Sequence, residues 1–217
     1  MTFRQIETNV PRLDRFDIDG LRYYNTPAGL LPSITTVLGH GDNSWLNEWK
    51  ARIGEAEANK IMRQACNRGT QLHKFCEDYL QNKPVNLKMP MDFALFGSIR
   101  KYLDNIGDVY LQETPLYSAI LGIAGTVDCI AKYDGILSVI DFKTSGEVKD
   151  KAWIDSYFVQ TTAYCHMAKE SAGLDIDQIV IIMATESGIG QVYIETKDKW
   201  LEPLQNKIQS FKDFVKY

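Results

Sequence analysis

The run GTVDCIAKYDGILSVIDFKTS, residues 125–145, admits few conformations. Asp134-Gly135 sits between β-branched and aromatic residues and is a two-residue hairpin turn. If Tyr133 pairs with Ile136, Asp128 falls opposite Asp141, and Lys143 falls opposite Thr126, on the same face as Asp141. Opposed Cβ atoms in such a pair lie about 4.5–5.5 Å apart. Two carboxylates at that distance repel, and a divalent cation held by oxygen ligands is the natural bridge. Val127, Cys129, Ile130, Val139, Ile140 and Phe142 make both faces largely apolar, where charge needs a reason to be. The ordinary alternative places both acids on an exposed edge, paired with Lys132 or Lys143. Beside metal-bound carboxylates, Lys143 would orient or deprotonate a water, or stabilise charge at phosphorus. Two acids and a lysine therefore suggest metal-assisted phosphodiester hydrolysis; the paired acids of glycosidases need no adjacent lysine.

Two helical patterns flank the hairpin. Gly69, His73 and Glu77 recur at i, i+4 and i+8, and Gln160 and Tyr164 at i, i+4, so each set shares one helix face. His73 can ligate a metal, and Glu77 can accept a hydrogen bond from it or from a lysine. A glutamine and a tyrosine hydroxyl can orient a water or a phosphate. Each set also reads as an ordinary helix surface. His166 reads as structural, and His40, in a Gly-flanked loop, has no role in this reading.

The 217 residues suffice for a single domain over 1–217, read as an N-terminal elaboration (1–64) and a core (65–217). The net charge of −4 argues against coating nucleic acid or anionic membrane by bulk charge. It leaves room for a local basic groove, or for metal ions that supply the positive charge. There is no run of 18 apolar residues and no signal or transit pattern, so a cytoplasmic site is expected. Cysteines 66, 76, 129 and 165 form no CxxC pair and are expected as reduced, mostly packed thiols. GxxxxGK[ST] and GxGxxG are absent, so no nucleotide cofactor is expected.

Turn residues and periodicity predict a hairpin over 16–24 and an ordered loop over 25–42. Helices follow at Ser44–Gln64, with Ser44 as N-cap and Trp45, Trp49, Ile53 and Ala56 on one stripe, then at Arg68–Gln81 and Met91–Asn105. Strands are expected at Val109–Pro115, Ile120–Tyr133, Ile136–Phe142, Ile179–Thr185 and Gln191–Glu195, and further helices at Trp153–Ala172 and Lys199–Val215. The fold class is α/β: a mixed sheet of about five strands flanked by helices, with a helical N-terminal lead-in.

In order and spacing, these residues resemble nucleases of the PD-(D/E)XK superfamily, RecB-like branch, with their restriction-endonuclease-like core. Arg68-Gly69-Thr70, His73 and Glu77 look like the first helix motif, Asp128 the isolated acid, Asp141-Phe142-Lys143 the (D/E)-x-K signature, and Gln160-xxx-Tyr164 the QxxxY motif. The lead-in Tyr24–Leu38, with its LPSITTV run, further resembles the mitochondrial genome maintenance exonuclease and its phage relatives. The resemblance implies Mg²⁺ or Mn²⁺ held by Asp128, Asp141, the Phe142 carbonyl and His73, with Lys143 acting on the attacking water. Gln160 and Tyr164 would position Lys143 or DNA, and Glu77 would touch a ligand or a second metal. Some relatives carry an iron–sulfur cluster on one early and three late cysteines; no cysteine follows 165, so none is expected here.

The function read from this is exonucleolytic hydrolysis of single-stranded DNA ends in phage or bacterial replication, recombination or repair. It would take place in the host cytoplasm if the protein is phage-encoded, with replication or recombination proteins as further partners. Arg63, Arg68, Lys74, Lys149 and Lys151 are candidate phosphate contacts. Tyr23, Tyr24, Trp45 and Trp49 are candidates for base stacking, with core packing favoured for the two tryptophans. Rival readings are a double-strand end-processing exonuclease and a non-catalytic DNA-binding accessory subunit.

Overall fold

The computed structural model describes residues 2–41 and 44–215; Asp42, at the end of the expected loop, lies outside the described residues. Asp134 and Gly135 both take positive φ (49° and 84°), as a tight two-residue turn between right-twisted strands requires. The turn joins β5 (Ile123–Tyr133) to β6 (Ile136–Ser145) in the expected register, Tyr133 facing Ile136 and Cys129 facing Ile140. Three earlier strands, β1 (Asp14–Ile18), β2 (Leu21–Thr26) and β3 (Gly29–Pro32), form a separate small sheet. β4 (Ile106–Ser118) lies antiparallel to β5. On the other side, β7 (Gln178–Thr185) runs parallel to β6, and β8 (Gly190–Thr196) closes the order β4-β5-β6-β7-β8.

Both faces of this mixed sheet are covered, which is why its central strands read as nearly continuous apolar runs. On one face, Leu72, Phe75 and Leu80 of α3 (Glu55–Leu80) and Phe96, Ile99 and Leu103 of α4 (Pro90–Leu103) pack on Cys129, Ile140, Phe142 and Ile182. On the other, Phe158 and Met167 of α5 (Asp155–Ala172) and Leu204 and Ile208 of α6 (Leu201–Val215) pack on Val139, Ile179, Ile181 and Met183. Cys76, Cys129 and Cys165 are buried free thiols, and Cys66 is exposed. Among the described residues, no helix is long and apolar enough to cross a membrane.

The N-terminal region is more ordered than its sequence suggested. Asp19-Gly20 turns β1 (Asp14–Ile18) into β2 (Leu21–Thr26). The expected loop contains β3 (Gly29–Pro32) and α1 (Ile34–Gly39). Its Pro and Gly residues mark element ends: Gly29 enters β3 at φ 103°, and Ser33 caps α1 by accepting from the Thr36 N–H at 3.0 Å. The small sheet β1-β2-β3 reaches the main one through a parallel bridge between Ser33 and Ala124.

The helix expected over 44–64 divides earlier. α2 (Ser44–Ile53) stops at Gly54, whose φ of 88° breaks the helix, and α3 then runs unbroken through 64–68, where no breaker stands. α2 buries no side chain, and Trp45 is 65% exposed, so the core packing expected of Trp45 is not what the fold does with it; Trp49 is half-buried.

β8 lies against α4 at Gly190, where a Cβ would come 2.1 Å from the Ser98 carbonyl oxygen. A helix carbonyl cannot swing away as a side-chain tip can. Gly190→Ala is expected to cost about 1–3 kcal/mol or more, read as a lower urea midpoint with an unchanged slope.

Candidate metal centre and active site

The site begins where two strands part. β5 and β6 stay paired only as far as Cys129 and Ile140. Beyond that, β6 follows β7 to Ser145, while β5 follows β4 back to Ile123. Asp128 and Asp141 stand at the fork. The expected direct pairing of these two is therefore corrected: the Phe142 N–H donates to Asp128 Oδ2 at 2.9 Å, so a carboxylate replaces the next rung of the ladder. Nor does Thr126 face Lys143; its hydroxyl meets that of Tyr24 at 2.9 Å. The lead-in fills the gap. Gly125 is pressed so closely that a Cβ would lie 2.8 Å from Tyr164 Cε1 and 3.1 Å from Ile34 Cγ2.

Asp128 and Asp141 are 8% and 1% exposed, which removes the exposed-edge alternative. Neither oxygen of Asp141 has a hydrogen-bond partner, although Lys143 Nζ approaches Oδ2 to 2.6 Å as an ion pair. Burial raises the Asp141 pKa; Lys143 opposes the rise and the Asp128 charge adds to it. Burial raises Asp128 as well, against the pull of His73 and Lys143. For Lys143, burial works against the charged form, but Asp141 and Asp128 outweigh it and its pKa is raised. Lys143 is thus held as an ammonium. Its Nζ donates to Gln160 Oε1 at 3.4 Å, Gln160 Nε2 donates to the Tyr164 hydroxyl at 3.3 Å, and the Tyr157 ring centroid lies 5.1 Å from Nζ. The Gln160–Tyr164 helix face therefore bears on Lys143.

His73 reaches in from α3. Its Nε2 lies 2.8 Å from the Phe142 carbonyl, and its Nδ1 lies 3.4 Å from Glu113 and 3.6 Å from Asp128. Burial lowers the imidazole pKa, but Asp128, Glu113 and Asp141 outweigh it and raise it to about 9. Both ring nitrogens then carry protons, in keeping with an acceptor opposite each.

Glu113 is a candidate ligand that the sequence reading missed. In the β4–β5 register it stands opposite Asp128, but the ladder skips this pair between Gln112–Cys129 and Thr114–Val127. Glu113 has a φ of 44°, a left-handed backbone costing about 1–3 kcal/mol for a residue with a side chain. The signal was hidden because the β4–β5 connection has no two-residue turn signature, so no register could be assigned across it. One ligand atom each from His73, Glu113 and Asp128 lies within 4.8 Å of the others. Carboxylates, a carbonyl and one imidazole suit Mg²⁺ or Mn²⁺, and the buried Asp141 carboxylate, whose Oδ1 has neither a hydrogen bond nor an ion pair, fits a cation ligand.

The remaining candidates are scattered. Glu77 lies one turn from His73 in an adjoining groove, held by Lys74 at 2.9 Å and Gln81 at 3.1 Å, outside the ligand cluster. Lys74 lines the same groove, and buried Tyr24 lines the metal compartment itself. Lys149 Nζ lies 5.9 Å from the Tyr157 ring centroid, near Lys143. The others stand apart from both compartments. Arg63 borders a separate groove on α3, Arg68 pairs with Glu186 at 2.6 Å, Lys151 pairs with Glu195, and Tyr23 packs among Leu30, Pro32 and α6. In their place the small sheet presents Arg15 and Arg22 to the metal compartment, with Ser33 and Thr35.

No family model matches the chain. It is 28% identical over 149 residues to the human protein named mitochondrial genome maintenance exonuclease 1, covering 62% of this chain and 43% of that one. The mouse protein of that name is 31% identical over 130 residues (55% and 38% covered), and the Xenopus tropicalis protein 30% over 149 (63% and 42%). The chain thus spans less than half the length of these relatives. Among solved structures, it superposes on one from Eubacterium rectale, described as a candidate exonuclease, with a TM-score of 0.50 at 13% identity, covering 70% of this chain and 65% of that one. The chain is therefore similar in sequence to mitochondrial genome maintenance exonucleases, and it has the α/β fold of an exonuclease-like neighbour, a mixed five-stranded sheet between helices.

Proposed function

We propose that the protein is a Mg²⁺- or Mn²⁺-dependent DNA exonuclease that hydrolyses phosphodiester bonds at free ends of single strands. The observation that carries this reading is the buried Asp141 carboxylate, ion-paired to Lys143 through Oδ2 and otherwise without a partner, beside the His73–Glu113–Asp128 cluster. The names of the sequence relatives support the exonuclease part of it.

Asp128, Asp141, Glu113 and the Phe142 carbonyl would hold the metal, and His73 would join them on giving up its Nδ1 proton. When bound, the metal supplies charge neutralisation at the phosphate and acidifies a water. The protein's own groups do the rest. Lys143, charged and fixed by Gln160, Tyr164 and Tyr157, orients the attacking water and offsets negative charge growing at phosphorus. Arg15 and Arg22 approach from the small sheet and supply phosphate contacts.

The test is digestion of end-labelled linear, duplex and covalently closed circular DNA with Mg²⁺. Linear single strands are expected to be degraded from their ends and circles left intact; cleavage of circles would remove the exonuclease reading. Asp141→Ala and Lys143→Ala are each expected to lower the rate by about 10²–10³, and undiminished digestion by both would remove the assigned site. Glu113→Gln is expected to raise the Mg²⁺ concentration for half-maximal rate by about 10-fold or more. Its melting temperature should not fall, because the substitution also relieves repulsion with Asp128; a lower midpoint with unchanged metal demand would make Glu113 structural.

A further inference from the structure

A second compartment, of about 530 Å³, adjoins the metal compartment and has no part in the chemistry above. It lies between the β1–β2 turn, the end of α1 and the last turns of α6. Arg22 and Thr35 line both compartments and so belong to the wall the two share. Arg22 is held by its backbone: its N–H donates to Thr36 Oγ1 at 3.0 Å, and its carbonyl accepts from the Ser33 N–H at 2.8 Å. Its Nε, by contrast, is buried without a hydrogen-bond partner. A guanidinium that lines both compartments is suited to a phosphate spanning them.

Beyond Arg22 the chemistry changes. Asp17 and Asp19 stand at the rim, where their charge opposes a phosphate but their oxygens can accept from base amino or imino groups. The opposite wall is aromatic. Leu204, Ile208 and Phe211 form the buried stripe of α6; Phe214 continues it one turn past the sheet and remains 56% exposed. Its ring lies 4.0 Å from that of His40 with a 32° tilt, and Phe211 meets His40 edge-on at 5.7 Å. An exposed ring backed by a second ring offers a base a rigid stacking face.

We propose that this compartment binds the unpaired base of a nucleotide flanking the one at the metal centre, with Phe214 and His40 as its stacking wall and Arg22 holding the phosphate between them. The proposal rests on the single-strand nuclease reading and adds a strand-gripping subsite to it. The β1–β2 turn, α1 and α6 then form one binding device, although they are far apart in sequence.

The test uses the full chain and linear single strands carrying one 2-aminopurine at successive positions, bound in EDTA to prevent turnover. One position is expected to show quenched fluorescence. The quenching should disappear in Phe214→Ala and persist in Phe214→Trp, and in Mg²⁺ the KM of Phe214→Ala for the strand should rise about tenfold. Absence of quenching at every position, or quenching that survives Phe214→Ala, overturns the subsite. The wild-type cleavage assay separates the two readings. Failure to degrade linear strands brings down the nuclease reading and the subsite with it; degradation without position-dependent quenching brings down the subsite alone.

Discussion

Charge that must be buried, and cannot be neutralised by one partner, shapes this molecule. Asp128 spends one oxygen on the Phe142 N–H, and that bond stands where β5 and β6 would otherwise continue their ladder. Parting the two strands opens the cleft. It also leaves a strand edge of β5 that Ser33 partly covers, and it demands the bare Cα of Gly125 beneath Tyr164 and Ile34. The lead-in is thus more than an appendage: without it the fork would expose unpaired backbone and an apolar seam.

The cation balance follows the same logic. Three carboxylates crowd within reach of one imidazole and one ammonium, and burial raises the pKa of the two innermost acids. Positive groups come from elements distant in sequence: His73 from α3, Lys143 from β6, and Arg15 and Arg22 from the small sheet. An acidic chain can present a locally cationic rim in this way, since net charge sums the whole surface and a strand of DNA samples only one groove.

Much of this was legible in the sequence where local rules govern. The Asp134-Gly135 turn fixed the β5–β6 register, and helical spacing put Gln160 and Tyr164 on one face, where Gln160 meets Lys143 and bonds in turn to Tyr164. What escaped depends on non-local pairing. Glu113 could be placed opposite Asp128 only by knowing how β4 meets β5, and Arg15 and Arg22 only by knowing where the small sheet docks. Gly and Pro in residues 25–42 looked like a loop because they end short elements as readily as they fill long connections. The helix break was misplaced: no breaker stands at 64–68, and the backbone breaks instead at Gly54, where φ is positive.

Phe142 occupies the middle place of the Asp-x-Lys motif, and its two halves serve different masters. Its ring belongs to the core beneath α3 and α4. Its peptide belongs to the site, the N–H given to Asp128 and the carbonyl facing His73. The chemistry therefore places a demand on the main chain at this position and none on the identity of the side chain, beyond its being apolar. A motif letter that sequence comparison leaves blank is here the mechanical link that ties the acid of one strand to the histidine of a helix.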